Sequence, residues 1–69
     1  MRNINLFLNG ETFSCQSVVN NDLSEAIEIK TESGEYLGQI FGIVLPDENN
    51  SEEMKNFESE VIDFFKENY

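Results

Sequence analysis

The sequence predicts an α+β fold: a four-stranded antiparallel sheet built from two hairpins, with one C-terminal amphipathic helix packed on it. Three observations carry this reading. Apolar and polar residues alternate on both sides of Asn9-Gly10, and alternating segments also flank Ser33-Gly34. Beyond Pro46 the apolar spacing widens to three and four residues. Alternation marks a strand with one buried face, whereas a period of about 3.6 marks a helix with one buried stripe.

The first hairpin is the most constrained element. Ile4, Leu6 and Leu8 alternate with Asn5 and Phe7, and Asn9-Gly10 follows. That dipeptide suits a two-residue type I′ turn, because both central positions need positive φ. Setting Leu8 opposite Glu11 places Leu6 opposite Phe13 and Ile4 opposite Cys15, so apolar meets apolar. The return strand is expected from 12 to about 19. Phe7 shares the other face with Asn5, Thr12 and Ser14, and core packing beneath the helix is expected for it rather than a partner contact.

Asn20, Asn21 and Asp22 form a turn, and a third strand follows near 26–31 with Ile27 and Ile29 inward and Glu28 and Lys30 outward. After Ser33-Gly34, a long fourth strand over 36–45 is apolar on both faces. Leu37, Phe41, Ile43 and Leu45 fall on one, Tyr36, Ile40 and Val44 on the other. Such a strand is expected to be central in its sheet or covered on its second face. Gly38 and Gly42 lie on that second face, where they signal a bend, a bulge or close packing. Pro46 ends the strand. Asn50 or Ser51 caps the helix, Glu52 and Glu53 sit at the positive end of its dipole, and Met54, Phe57, Val61, Phe64 and Phe65 form the buried stripe.

The 69 residues amount to one small acidic domain, 1–69. A core of this size leaves only a few kcal/mol of net stability without further support. Cys15 is the only cysteine, so no disulfide forms within the chain, and the lack of His argues against a transition-metal site. Self-association therefore stays open, and a homodimer is one arrangement to test. Fourteen acidic residues against four basic ones give a net charge of -10. Such a surface repels nucleic acid and anionic membrane and attracts a protein partner with a basic surface. The N-terminal segment is too short and polar for a signal peptide, no run reaches a membrane-spanning length, and the lone cysteine suits a reducing compartment; a cytoplasmic location is expected.

Catalysis finds little footing. No His is present to activate a nucleophile, and Cys15 reads as an inert strand thiol among apolar neighbours. No phosphate-cradling glycine loop occurs, and no cofactor is expected. Asp47, Asn49, Ser51 and Glu58 match positions of a calcium-binding loop, but Glu52 stands where glycine is needed and no helix precedes it. Asp22-Leu23-Ser24 is similar to the attachment site of acidic acyl carriers without reproducing it, and those carriers are helical bundles.

The candidate binding residues are acids. Glu53, Glu60 and Glu67 recur every seven residues, with Asn56 and Asp63 between them, opposite the aromatic stripe. Like-charge pairs at Glu60/Asp63 and Asp63/Glu67 each cost about 0.2–0.5 kcal/mol. Lys66 and Lys55 relieve Asp63 and Glu52, while Glu60 and Glu67 have no obvious partner. Glu28, Glu32 and Glu35 gather around the third turn as a second group. Residues 1–50 hold eight acids and two bases, residues 51–69 six and two, so the charge is spread. Glu58 falls at the edge of the apolar stripe.

Two functional readings follow. The first is a non-catalytic protein-binding module, an inhibitor whose carboxylates mimic phosphates in the basic groove of a nucleic-acid-handling enzyme. In size and charge the chain resembles small acidic phage-encoded inhibitors, a resemblance of class without a shared motif. The alternative is a structural or assembly domain that self-associates through an apolar sheet face around Tyr36, Ile40 and Val44, with its acids serving solubility.

Overall fold

The structure, a computed structural model, describes residues 3–68. Met1, Arg2 and Tyr69 lie outside the described residues, so the polar N-terminal segment begins, and the closing stretch ends, beyond them. Four strands, β1 (Asn3–Leu8), β2 (Glu11–Val19), β3 (Glu25–Thr31) and β4 (Tyr36–Phe41), precede one helix, α1 (Ser51–Asn68). The sheet order is β1-β2-β3-β4 and every neighbouring pair is antiparallel. The fold is therefore the α+β arrangement that the sequence predicts.

Asn9 and Gly10 both take positive φ, 52° and 81°, as a type I′ turn requires. The turn fixes the register: Leu8 faces Glu11, Leu6 faces Phe13 and Ile4 faces Cys15. The ladder then carries the apolar set across the sheet through Cys15 to Ile29 and Ser17 to Ile27. Residues directly opposite in an antiparallel pair share a face, so these side chains form one inner surface. The helix covers it with Phe57 and Val61, both buried, and with Met54, Phe64 and Phe65, partly buried against the same cluster. The Phe13 and Phe65 rings lie 5.0 Å apart in a tilted arrangement. Among the described residues, no buried side-chain nitrogen or oxygen lacks a hydrogen-bond partner.

The fourth strand departs from expectation in three ways. It is an edge strand, not a central one, and it ends at Phe41 rather than near 45. It also contains a bulge. Lys30 pairs with Tyr36, but the next ladder step pairs Ile29 with Gly38, so Leu37 is an extra residue. One extra residue reverses the facing of all that follows. Ile40, opposite Ile27, consequently packs inward, and Phe41, opposite Ala26, points outward. Tyr36, Ile40 and Val44 thus share no sheet face.

Gly38 explains why the bulge is tolerated here. Its φ is 152°, and a Cβ at this position would stand 2.5 Å from Cζ of Phe64. The glycine allows both the backbone turn and the close approach of the helix. Gly42, at φ 81°, then takes the chain out of the sheet, and the following segment lays Ile43 and Leu45 against the core. The apolar character of 43–45 belongs to this connection, not to a strand.

Asn50 caps the helix. Its Oδ1 accepts hydrogen bonds from the backbone N–H groups of Glu52 and Glu53, each at 3.1 Å. At the other end Asn68 Nδ2 donates to the Phe64 carbonyl at 2.9 Å.

Candidate protein-binding surfaces

The helix presents its polar side away from the sheet, because the opposite stripe is committed to the core. Glu53, Glu60, Asp63 and Glu67 are all exposed, as is Asn56 between them. At about 1.5 Å rise per residue, Glu53, Glu60 and Glu67 stand about 10.5 Å apart along the axis. Among the described residues the one ion pair is Lys30 Nζ to Glu28 Oε1, at 3.1 Å. The relief expected from Lys55 and Lys66 thus involves no direct ion pair. The ridge carboxylates remain turned to solvent.

Part of the ridge borders an apolar depression. Glu53, Asn56 and Glu60 line a shallow hollow of about 280 Å³ together with Val44, Pro46 and Phe57. Val44, one of its lining residues, is 79% exposed, so acid and apolar surface lie side by side.

The second group of predicted acids is not one site. Glu28 pairs in register with Gln16 and Gln39, and its chain neighbours Ile27 and Ile29 face the helix. Glu28 therefore projects from the opposite side of the sheet. Glu32 and Glu35 are exposed in the turn between β3 and β4, where Thr31 Oγ1 accepts from the Glu35 N–H at 3.0 Å. Thr31 and Leu37, which flank that turn, line a groove shared with Phe65 and Lys66. The turn acids accordingly lie toward the C-terminal half of the helix, and Glu28 does not.

That groove, of about 970 Å³, opens between the hairpin tip and the helix. Phe7, Leu8, Phe13 and Ile62 contribute its apolar wall, and Glu58 and Lys66 its charged rim. Glu58 is half-buried there, at the margin of the apolar stripe as its spacing predicts.

The sheet also has an outer face, turned away from the helix. Its positions follow from the register: Asn3, Asn5 and Phe7 on β1 lie opposite Gln16, Ser14 and Thr12 on β2. Ser14, Gln16 and Val18 in turn face Lys30, Glu28 and Ala26. Tyr36, Gln39 and Phe41 complete the rows. The helix does not cover this face; toward its β3–β4 end Ala26 is buried, and Asn20 reaches across to Gln39. Phe7 is 72% exposed, Tyr36 56% and Phe41 59%. Core packing of Phe7 is thereby corrected: its position belongs to the outer row at the β1 edge, where the ring is mostly in solvent and only borders the groove toward the helix. Asn20 and Gln39 clasp each other through two amide hydrogen bonds of 3.0 and 3.1 Å.

The groups that sequence reading weighed for chemistry are engaged structurally. Cys15 is fully buried, and desolvation pushes its thiol up to about 11. Ser24 donates to Asp22 Oδ1 from its hydroxyl at 2.6 Å and its N–H at 3.1 Å, holding that carboxyl below its ordinary value. Asp47 accepts from the Asn49 N–H at 2.9 Å, and 51–58 is already helical, so Glu58 is carried away from that turn. No group of three or more acids or cysteines that could hold a metal ion occurs among the described residues. No described helix is long and apolar enough to cross a membrane. Comparison of the chain with protein families, with curated proteins and with solved structures finds no match in any of the three.

Proposed function

We propose that this chain is a non-catalytic protein-binding module that inhibits a nucleic-acid-handling enzyme by placing its acidic helix in the enzyme's basic groove. The observation that carries this reading is the ridge of Glu53, Glu60, Asp63 and Glu67. Its carboxylates are exposed and take part in no ion pair among the described residues. Their placement suits the role: successive seven-residue repeats, about 10.5 Å apart along the helix axis, set a row of like negative charges on one side of the molecule. The charge of -10 adds long-range attraction that speeds encounter with a basic groove and disfavours nucleic acid or anionic membrane as direct partners. Glu32 and Glu35, toward the helix C-terminal half, extend the acidic surface; Glu28, on the far side of the sheet, takes no part in this contact.

The test is affinity capture from nuclease-treated lysate at low and high salt. A basic nucleic-acid enzyme held at low salt and released at high salt is expected. Against that enzyme, Glu60→Gln, Asp63→Asn and Glu67→Gln combined should raise Kd about 10- to 100-fold at low salt and flatten the salt dependence. Unchanged affinity in the triple variant removes the helix from the mechanism.

A further inference from the structure

We propose that the outer face of the sheet is the contact surface of a homodimer, in which a second copy of this chain packs face to face about a two-fold axis parallel to the strands.

Charge is sparse on this face. Of the 14 acidic residues, Glu28 alone occupies a strand position on the outer face, and Lys30 neutralises it there at 3.1 Å. In a chain of net charge -10, the outer strand rows are thus neutral, while the helix, the turns and the strand ends at Glu11 and Glu25 carry the excess. Solubility alone gives no reason for this segregation. A two-fold axis does. It sets a patch against itself, so any net charge on the patch would repel its own image. Amides and hydroxyls, which both donate and accept, can pair with their own image; Asn5 and Thr12 supply them here, and Asn3 and Ser14, which share one hydrogen bond of 3.0 Å, keep further donor and acceptor capacity. A basic partner would find nothing on this face to match its charge, and the same reasoning assigns that partner to the helix side.

The aromatic residues fit the same axis. Phe7 lies on one edge strand and Tyr36 on the other. Rotation about an axis along the strands places β1 of one copy over β4 of the other. Phe7 and Tyr36 are separated along the strand direction by two residues, about 7 Å, because Tyr36 shares its row with Asn5 through Ser14 and Lys30. That offset is within reach of two aromatic rings across sheets packed about 10 Å apart. The symmetry then makes the contact twice.

The available area is sufficient. A stable interface takes about 800 Å² from each partner, about one sixth of the 4918 Å² surface of this chain. One broad side of a body of 33 × 26 × 22 Å supplies it. The helix is untouched in this arrangement, so the two acidic ridges face outward on opposite sides of the dimer, and the inference stands whether or not the helix reading does.

Salt separates the two. Copies that each carry -10 repel at long range, and added salt screens that repulsion over a Debye length of about 10 Å at about 0.1 M. Dimerisation should therefore tighten as salt rises, whereas a complex with a basic groove should loosen. The experiment is sedimentation equilibrium of the full chain at low and high salt. It compares the unaltered protein, the Phe7→Ser/Tyr36→Ser double variant, Ser14→Lys at the centre of the face, and the helix triple variant, with folding of each checked by circular dichroism. The expected result is a dimer that tightens with salt and is kept by the helix variant. The double variant should weaken it about 10- to 100-fold, and Ser14→Lys, whose new charge meets its own image, should weaken it as well. A monomer throughout at high salt overturns the proposal. So does a dimer indifferent to both outer-face variants, which would place the contact at the open β1 or β4 edge, or a dimer lost in the helix variant.

Discussion

The two faces of the sheet are made by the same four strands and share one hydrogen-bonded ladder, yet they have opposite chemistry. The inner face holds Ile4, Leu6, Phe13, Cys15, Ile27 and Ile29, all buried under the helix. The outer face holds amides, hydroxyls, one neutralised ion pair and three exposed aromatic residues. One helix has one apolar stripe and can cover only one side of a sheet, so a single layer of helix leaves the other side to water or to a partner. The comparison teaches that charge in this molecule is arranged in layers. Most acids lie on the helix, in the turns and at strand ends, the core is apolar, and the outer sheet is polar with its one acid paired to Lys30.

If the inner face alone carries the stability, truncation there should be expensive. Ile29→Ala, at a fully buried position central to the sheet, should lower unfolding free energy by about 2–5 kcal/mol. Urea denaturation measures this directly, and a loss below about 1 kcal/mol would erase the distinction between the faces. A second inner-face test uses pH. Burial raises the Cys15 thiol from 9.0 to about 11, so between these values the unfolded chain gives up its proton and the folded chain keeps it. The contribution is fully present below pH 9 and is lost as pH rises toward 11, amounting to about 2–3 kcal/mol. Stability curves of the unaltered protein and Cys15→Ala should therefore converge over that window; parallel curves would mean that the thiol ionises freely in the folded state. The smallest effect belongs to the outer face. Phe7→Ser should change monomer stability by less than about 0.5 kcal/mol, because little of that ring is buried within the chain. A larger loss, read from the thermal midpoint at low concentration, would show that Phe7 supports the fold itself.

The legible parts of the sequence are those where two local signals agree. In the first hairpin the turn dipeptide and the apolar alternation demand the same register, and Ile4 opposite Cys15 follows from either. The helix stripe at Phe57, Val61, Phe64 and Phe65, and the acidic ridge opposite it, follow from a single unbroken period. The fourth strand resisted because its alternation is interrupted at Leu37. A bulge adds a residue without altering composition, and an apolar run on both sides hides the change of facing. Gly38 was the one available signal. The acid groups failed for a related reason. Glu28, Glu32 and Glu35 are near in sequence, but a strand residue and two turn residues answer to different geometries, so they do not converge on one surface. The expectation of core packing for Phe7 rests on the cost of leaving an aromatic in water, which is true of a monomer and says nothing of an assembly.

The meander order of the sheet has a consequence in time. Each strand pairs with the next one made, so every closure spans a short loop and the sheet needs no distant segment to form. The covering helix is the last element to emerge during synthesis from the N-terminus. For the interval before it docks, the sheet has two uncovered sides, one of them largely apolar. A sheet formed ahead of the helix would therefore be a sticky β-ribbon, and docking of the acidic helix would at once seal that side and add six carboxylates to the chain's repulsive coat.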